Sequence, residues 1–411
     1  MTNKNINLEL LAPAGDLEKF KTAVAYGADA VYFGGEMFSL RAGAGNLNVK
    51  EIAEGLDFAH QRNVKGYMTI NIYAHNEDIE PLRAYIGKIK DLPVDAFIVS
   101  DPGVIALIKE QIPDAELHLS TQANTTNYMT ANFWASQGVK RIVAAREMSL
   151  KELKDMKQAL PDSTDIEAFV HGAMCISYSG RCLLSNFMAG RDANKGACTH
   201  PCRWKYSLVE EQRPGEYYPI EEDEHGSYIM NSRDLCMIDR IPDLADAGVS
   251  SLKIEGRMKS MFYVATVISA YRAAIDEYLA DPENYVFNPK HFEELCKASH
   301  REFTHGFYYN KPTDEDQNYL TSDYTRDYSF IGLVGTHDEA TGLTNVEQRN
   351  KFSVGDTVEI FGPHTPFYEE TISEMYDEEE AAIESAPHPQ QKLKIRFSRI
   401  PGEGFIMRKK K

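Results

Sequence analysis

Four cysteines, Cys175, Cys182, Cys198 and Cys202, fall within 28 residues of a 411-residue chain that has only six. The opening stretch, MTNKNINLELLAPAGD, has no apolar run of secretory or transmembrane length, so a cytoplasmic protein without a membrane partner is expected. In that compartment clustered thiols serve as metal ligands more often than as a disulfide framework. The spacing C-x6-C-x15-C-x3-C lacks the paired C-x2-C knuckles of a zinc ribbon. Irregular intervals on a loop suit a 4Fe-4S cluster, which needs four sulfur ligands, although soft thiolates also accept structural zinc. Cys236, in SRDLC, is a further donor, so the fourth ligand is open between Cys202 and Cys236. Cys296 lies in a helical pattern and is expected in the core.

A second set of chemistry-bearing residues follows short apolar runs. The runs are LELLA (8–12), AVYFG (30–34), GYMTINI (66–72), AFIVS (96–100), LHLST (117–121), RIVAA (141–145), IEAFV (166–170) and SLKIE (251–255). Between most of them lie amphipathic stretches such as DLEKFKTAVAYGA and LKELKDMKQAL, with apolar residues at helical spacing. Eight alternating units without a GxGxxG fingerprint predict an α/β fold of the TIM-like (β/α)8 barrel type. Such barrels do chemistry at the C-terminal ends of their strands. Arg41, Asn71, Gln122, Arg146, Glu147, His171, Glu255 and Arg257 all follow or close an apolar run. The charged and amide members exceed what turn chemistry needs, and they predict a polar pocket at one mouth.

The gap between the seventh and eighth runs is about 80 residues, far longer than a crossover requires. An insertion at 172–250 is therefore expected on the functional face, carrying the clustered cysteines, an acidic hairpin-like stretch and a helix over SRDLCMIDRIPDLADAG. The barrel domain is read as 1–310 and a polar, aperiodic linker as 311–328. Short strands separated by turns then predict a small antiparallel β-barrel domain at 329–411. The formal charge of -18 argues against a broadly basic nucleic-acid binder, although Arg181, Arg191, Lys195, Arg203 and Lys205 crowd the cysteines. The final RKKK reads as a solvated tail.

Glu167-x-Phe169-x-His171-Gly172-Ala173-Met174-Cys175, followed by Tyr178-Ser179-Gly180-Arg181-Cys182-Leu183-Leu184-Ser185, resembles the signature of peptidase family U32. LLAPAGDLEKFKTAVAYGADAVYFGG and SLKIEGRMKS resemble the same family, so the likeness spans the chain. RDANKGACTHPCRWKY and EDEHGSYIMNSRDL are similar to the branch of tRNA 5-hydroxyuridine modification proteins. The resemblance implies an iron-sulfur protein supporting oxygen-independent hydroxylation of the wobble uridine of tRNA, with prephenate as co-substrate. It implies Cys175, Cys182 and Cys198 as cluster ligands, with Cys202 as fourth and Cys236 as the alternative.

On that reading the planar guanidinium groups of Arg41, Arg146 and Arg257 match the two carboxylates of prephenate. Asn71 and Gln122 complete the pocket, Glu255 or Glu147 acts as a base or orients the arginines, and His171 relays protons. The anticodon region would meet Arg181, Arg203 and Trp204, the indole stacking on an unpaired base. Two other readings remain: a peptidase (a hydrolase, with His171 and Cys175 as its pair), and a noncatalytic scaffold for a partner of the same family. Neither HExxH nor GxSxG occurs to support a protease.

Overall fold

The computed structural model describes residues 7–40, 45–174, 182–191, 193, 196–203, 207–208, 218–219, 233–310 and 324–411. All eight apolar runs are strands: β1 (Glu9–Ala14), β2 (Ala30–Gly34), β3 (Lys65–Ile70), β4 (Ala96–Val99), β5 (Leu117–Leu119), β6 (Arg141–Val143), β7 (Asp165–Ala173) and β8 (Ser251–Ile254). They are parallel, each pairs with the next, and β8 pairs with both β7 and β1, so the barrel closes. β2 and β4 are buried along their whole length, as expected of strands covered on both faces.

The helices begin where the sequence supplies a cap. α1 (Leu17–Ala25) starts after Asp16, whose carboxylate accepts from Lys19 N at 2.9 Å. α2 (Val49–His60) and α6 (Leu150–Ala159) carry full capping boxes, Asn48 with Glu51 and Ser149 with Glu152. Proline opens α4 (Pro102–Gln111) behind Asp101. α3 (Ile79–Ile89) and α5 (Tyr128–Ser136) complete the ring beside them. A hydrophobic layer between strands and helices includes Leu10, Phe20, Phe33, Ile52, Leu56 and Ile142. Each fully buried side chain of this size contributes about 1.5–3 kcal/mol.

Inside the barrel the filling is partly ionic. Leu11, Ala30, Tyr32, Tyr67, Ala96 and Ile98 form an inner cluster. Beneath it Arg141 pairs with Glu9 at 2.5 Å, and Glu9 also accepts from Tyr67 OH at 2.7 Å and Ser251 Oγ at 2.8 Å. Burial alone would raise the Glu9 carboxyl, but the charge and hydrogen bond of Arg141 hold it below the ordinary range.

After β7 the chain enters the insertion, of which α7 (Leu184–Ala189) and a short strand, Asp234–Cys236, are described. The helix expected over SRDLCMIDRIPDLADAG is confined to α8 (Ile241–Asp246). Asp234–Cys236 instead pairs antiparallel with β7, setting Cys236 opposite His171. Leu235 and Cys236 fill a groove beside β7, and that burial outweighs the local helical pattern. Most of the acidic hairpin-like stretch lies outside the described residues, though Ser207–Leu208 pairs antiparallel with Tyr218–Pro219. Residues 311–323 of the expected linker also lie outside them.

The C-terminal residues form a seven-stranded antiparallel sheet with its own core around Ile331, Val346, Val358, Ile360, Leu393 and Met407. Its strand Ile406–Lys410 lies between Thr357–Gly362 and Tyr328–Asp338. The final RKKK is therefore not a solvated tail. Arg408 is fully buried and pairs with Glu294 (2.5 and 2.8 Å) and with Glu359 (2.7 Å). Glu294 sits on α10 (Pro289–Leu295), and Lys297 just beyond it binds Glu359 at 2.9 Å. Phe330 stacks on Phe262 of α9 (Met261–Ala280), and Phe361 and Ile406 join the barrel's own hydrophobic cluster. The sheet is thus welded to the barrel by apolar packing around a buried ion cluster. No helix among the described residues is long and apolar enough to cross a membrane.

Candidate active site at the barrel mouth

A cavity of about 760 Å³ opens at the C-terminal ends of the barrel strands. Its walls come from three sources: the strand ends, the cysteine-bearing insertion and the C-terminal sheet. Six Lys or Arg side chains line it, Arg146, Lys253, Arg257, Lys259, Arg326 and Lys411, against Glu255 as the one described acidic residue. In a chain of net charge -18 this is a local reversal of sign, and it favours an anionic ligand.

At the centre Arg146, following β6, meets Glu255, following β8, with Nη2 3.0 Å from Oε2. Arg146 also lies 4.0 Å over the Phe169 ring and is 8% exposed, so its guanidinium is held flat and largely dry. Lys253 lies deeper, its Nζ 2.5 Å from Glu167 Oε1 and 4.3 Å over the Tyr32 ring. Asn71 bridges two loops, accepting from Leu40 N and donating to Ser120 Oγ, both at 3.3 Å. Gln122 is buried on the wall, and its Oε1 has no hydrogen-bond partner among the described residues. A buried acceptor left this way is satisfied when a ligand donor reaches it.

Arg257 also faces the cavity, but its donors are committed to the loop after β2. Nη1 donates to Ser39 Oγ and Leu40 O at 2.7 Å and to Thr69 Oγ1 at 3.3 Å, while Nη2 reaches Asn46 Oδ1 at 2.5 Å. This arrangement makes it a positioning residue for the mouth. Gly34 permits the approach, since a Cβ there would fall 2.1 Å from Arg257 Nη2. Gly172 has φ +104°, and a Cβ on it would lie 2.7 Å from the Glu255 carbonyl oxygen. The His-Gly pair at the end of β7 is thus a backbone requirement for placing Glu255.

His171 and Glu147 do not line the cavity. His171 is enclosed by the rings of Tyr263, Tyr271 and Phe303, with centroids 6.0, 5.6 and 5.5 Å away. Burial, helped by the charges of Lys259 and His300, lowers its pKa to about 3, so it is neutral and in the core rather than at a proton-relay position. Glu147 is half-buried, burial raises its carboxyl, and its Oε2 has no hydrogen-bond partner among the described residues.

Cys182, Cys198 and Cys202 all line the cavity, and Met174, the neighbour of Cys175, does so too. Three cysteines on one wall are soft donors of the kind an iron-sulfur cluster takes, one short of the four it needs, so the residues are compatible with that group. The loop carrying Cys198 is tied to α7 by Thr199 N donating to Ser185 Oγ at 3.0 Å. Cys236 is buried away from this wall, its thiol pushed up to about 12 by burial and its Sγ 3.9 Å from Tyr271 OH. Among the described residues no three His, Cys, Asp or Glu side chains are already gathered around a metal position. Arg41, Cys175, Arg181 and Trp204 lie outside the described residues; the backbone of Arg203 is in a short turn, Pro201–Arg203, and its side chain is not described.

Residues 15–318 match the model of peptidase family U32, and residues 326–408 match that of the U32 C-terminal domain. The chain belongs to peptidase family U32. Among U32 relatives, tRNA hydroxylation protein P1 of Bacillus subtilis (strain 168) is 43% identical over 403 residues, covering 98% of this chain and 95% of that protein. The 23S rRNA 5-hydroxycytidine C2501 synthase of Escherichia coli (strain K12) is 39% identical, over 68% of this chain and 41% of that protein. A protein named collagenase from Porphyromonas gingivalis (strain ATCC BAA-308 / W83) is 31% identical, over 90% of this chain and 91% of that protein.

Sequence reasoning missed Lys253, Lys259, Tyr324, Phe330 and Lys411, all of which line the cavity. A lysine inside the apolar run SLKIE was the available signal for the first. Lys259 follows β8 in SLKIEGRMKS, while Tyr324, Phe330 and Lys411 come from segments distant in sequence that reach the mouth with the docked C-terminal sheet.

Proposed function

We propose that this U32 protein supports hydroxylation of the wobble uridine of tRNA to 5-hydroxyuridine, with prephenate as co-substrate and a 4Fe-4S cluster as cofactor. The observation that carries the reading is the cavity itself, cationic in an acidic chain and walled on one side by thiols. The relatives named for tRNA and rRNA hydroxylation favour RNA as the target class.

Cys175, Cys182 and Cys198 would hold the cluster, with Cys202, which faces the same wall, as fourth ligand and Cys236 as its alternative. Bound there, the cluster would supply one-electron transfer. Arg146 receives a carboxylate of the acid, Glu255 holds that guanidinium in place, and Lys253 adds a second cation deeper in the floor. Gln122 and Asn71 orient the ligand by hydrogen bonds, and Arg257 keeps the loop above them closed. The peptidase reading needs a histidine beside a nucleophilic cysteine, and the enclosed, neutral His171 argues against it.

The test is mass spectrometry of wobble uridines from a strain lacking the gene and any redundant enzyme. Loss of 5-hydroxyuridine, restored by the wild-type chain and not by Cys182→Ser, supports the reading. Unchanged 5-hydroxyuridine would sink it. Iron content of anaerobically purified Cys202→Ser and Cys236→Ser identifies the fourth ligand, and full restoration by a cluster-free chain would favour the scaffold role.

A further inference from the structure

The cavity has two tiers. At the floor Arg146 and Lys253 are buried, 8% and 4% exposed. At the rim Arg326 and Lys411 are exposed, and Lys259 is half-buried. Each floor cation already pairs with a carboxylate, Arg146 with Glu255 and Lys253 with Glu167, so the rim carries the cavity's exposed cations, Arg326 and Lys411.

The rim mixes these cations with aromatic rings. The Tyr324 ring lies 4.1 Å from Lys259 Nζ, 4.7 Å from the Arg301 guanidinium carbon and 5.9 Å from that of Arg326. Arg301 Nη2 donates to Tyr324 OH at 2.9 Å, which fixes the ring. Phe330, from the C-terminal sheet, lines the same cavity, its ring stacked on Phe262 and 5.6 Å from the Arg349 guanidinium carbon. Cations interleaved with anchored aromatics suit a single nucleic-acid strand, whose phosphates take the charges and whose bases meet the rings. An acidic polypeptide would use the charges alone. Burial of the Arg408 cluster holds the two halves of this rim at fixed separation, so it is preformed.

We propose that the C-terminal sheet, the segment 324–327 leading into it and the turn before α9 form one rim that grips the RNA backbone, with Lys259, Arg326 and Lys411 on phosphates and Tyr324 and Phe330 against bases flanking the one admitted to the cavity. The proposal rests on the tRNA reading above and adds to it the domain that no strand end of the barrel supplies. The C-terminal sheet is, on this account, part of the substrate site.

The experiment is fluorescence anisotropy of a labelled anticodon stem-loop RNA with the full-length protein over a series of salt concentrations. Arg326→Glu/Lys411→Glu is expected to bind at least about tenfold more weakly. Its plot of log affinity against log salt should be shallower by about 1.4, from about 0.7 per lost single-strand phosphate contact. Lys90→Glu, beyond the end of α3 at the opposite pole of the barrel, should bind as the wild type does. If the double variant loses its thermal midpoint, Arg326→Gln/Lys411→Gln is the substitute, with the same change in slope. Unchanged affinity and slope, while the wild type binds, overturns the rim and leaves the tRNA reading standing. A wild-type chain that binds no stem-loop overturns both, and poly-glutamate competing as well as RNA overturns the rim in favour of an acidic protein partner.

Discussion

At the scale of single residues, the proposed function makes the Arg146 to Glu255 pair the point at which the mouth meets its acid. A guanidinium held between a carboxylate and an aromatic face meets an incoming acid in one fixed orientation. Arg146→Lys keeps the charge and loses the fork, so 5-hydroxyuridine formation should fall by about 10- to 100-fold, with thermal stability nearly unchanged. Arg146→Ala should be worse, because Glu255, only 15% exposed, then loses the guanidinium 3.0 Å from it. The two residues were legible in the sequence because each follows an apolar run where turn formers suffice. His171 was misjudged for a related reason: its place at a strand end was correct, but its side chain points among Tyr263, Tyr271 and Phe303, which lie far along the chain.

At the scale of elements, the apolar runs were a faithful guide to all eight strands, since buried parallel strands leave nearly continuous hydrophobic segments. The strand at Asp234–Cys236 was not legible, because three residues inside a helical pattern carry no period of their own. β5 shows how a buried titratable group couples an element to pH. His118 is buried beneath Tyr67, and burial lowers its pKa below 6.5 despite the Glu116 carboxylate 3.0 Å from Nε2. The unfolded chain therefore takes up a proton as pH falls through 6.5 while the folded barrel resists it, and stability declines. Urea unfolding at pH 7.5 and at about pH 5 should reveal this loss, and His118→Phe should reduce the difference between the two.

At the scale of the whole molecule, the formal charge of -18 described the surface and concealed the site. Lys253, Arg257 and Lys259 share the window SLKIEGRMKS, but Arg146, Arg326 and Lys411 join them only in the folded molecule, so no window of sequence displays all six together. The same holds for Arg408, which reads as tail chemistry and is instead the fully buried centre of the domain contact. Arg408→Ala leaves Glu294 and Glu359 with Lys297 as their remaining described cation and should cost about 3–5 kcal/mol. The expected result is a lower melting temperature and faster proteolysis between the barrel and the sheet, and a variant as resistant as the wild type would show that apolar packing alone secures the contact.

The position of Ile406–Lys410 in the middle of its sheet has a consequence in time. A ribosome adding about 5–20 residues per second finishes β8 roughly eight to thirty seconds before it reaches this strand. During that interval the barrel can close, yet the sheet lacks the strand that joins Thr357–Gly362 to Tyr328–Asp338. The mouth therefore acquires its outer wall only when these last residues have been made, and a nascent chain holds an open, unfinished site until then.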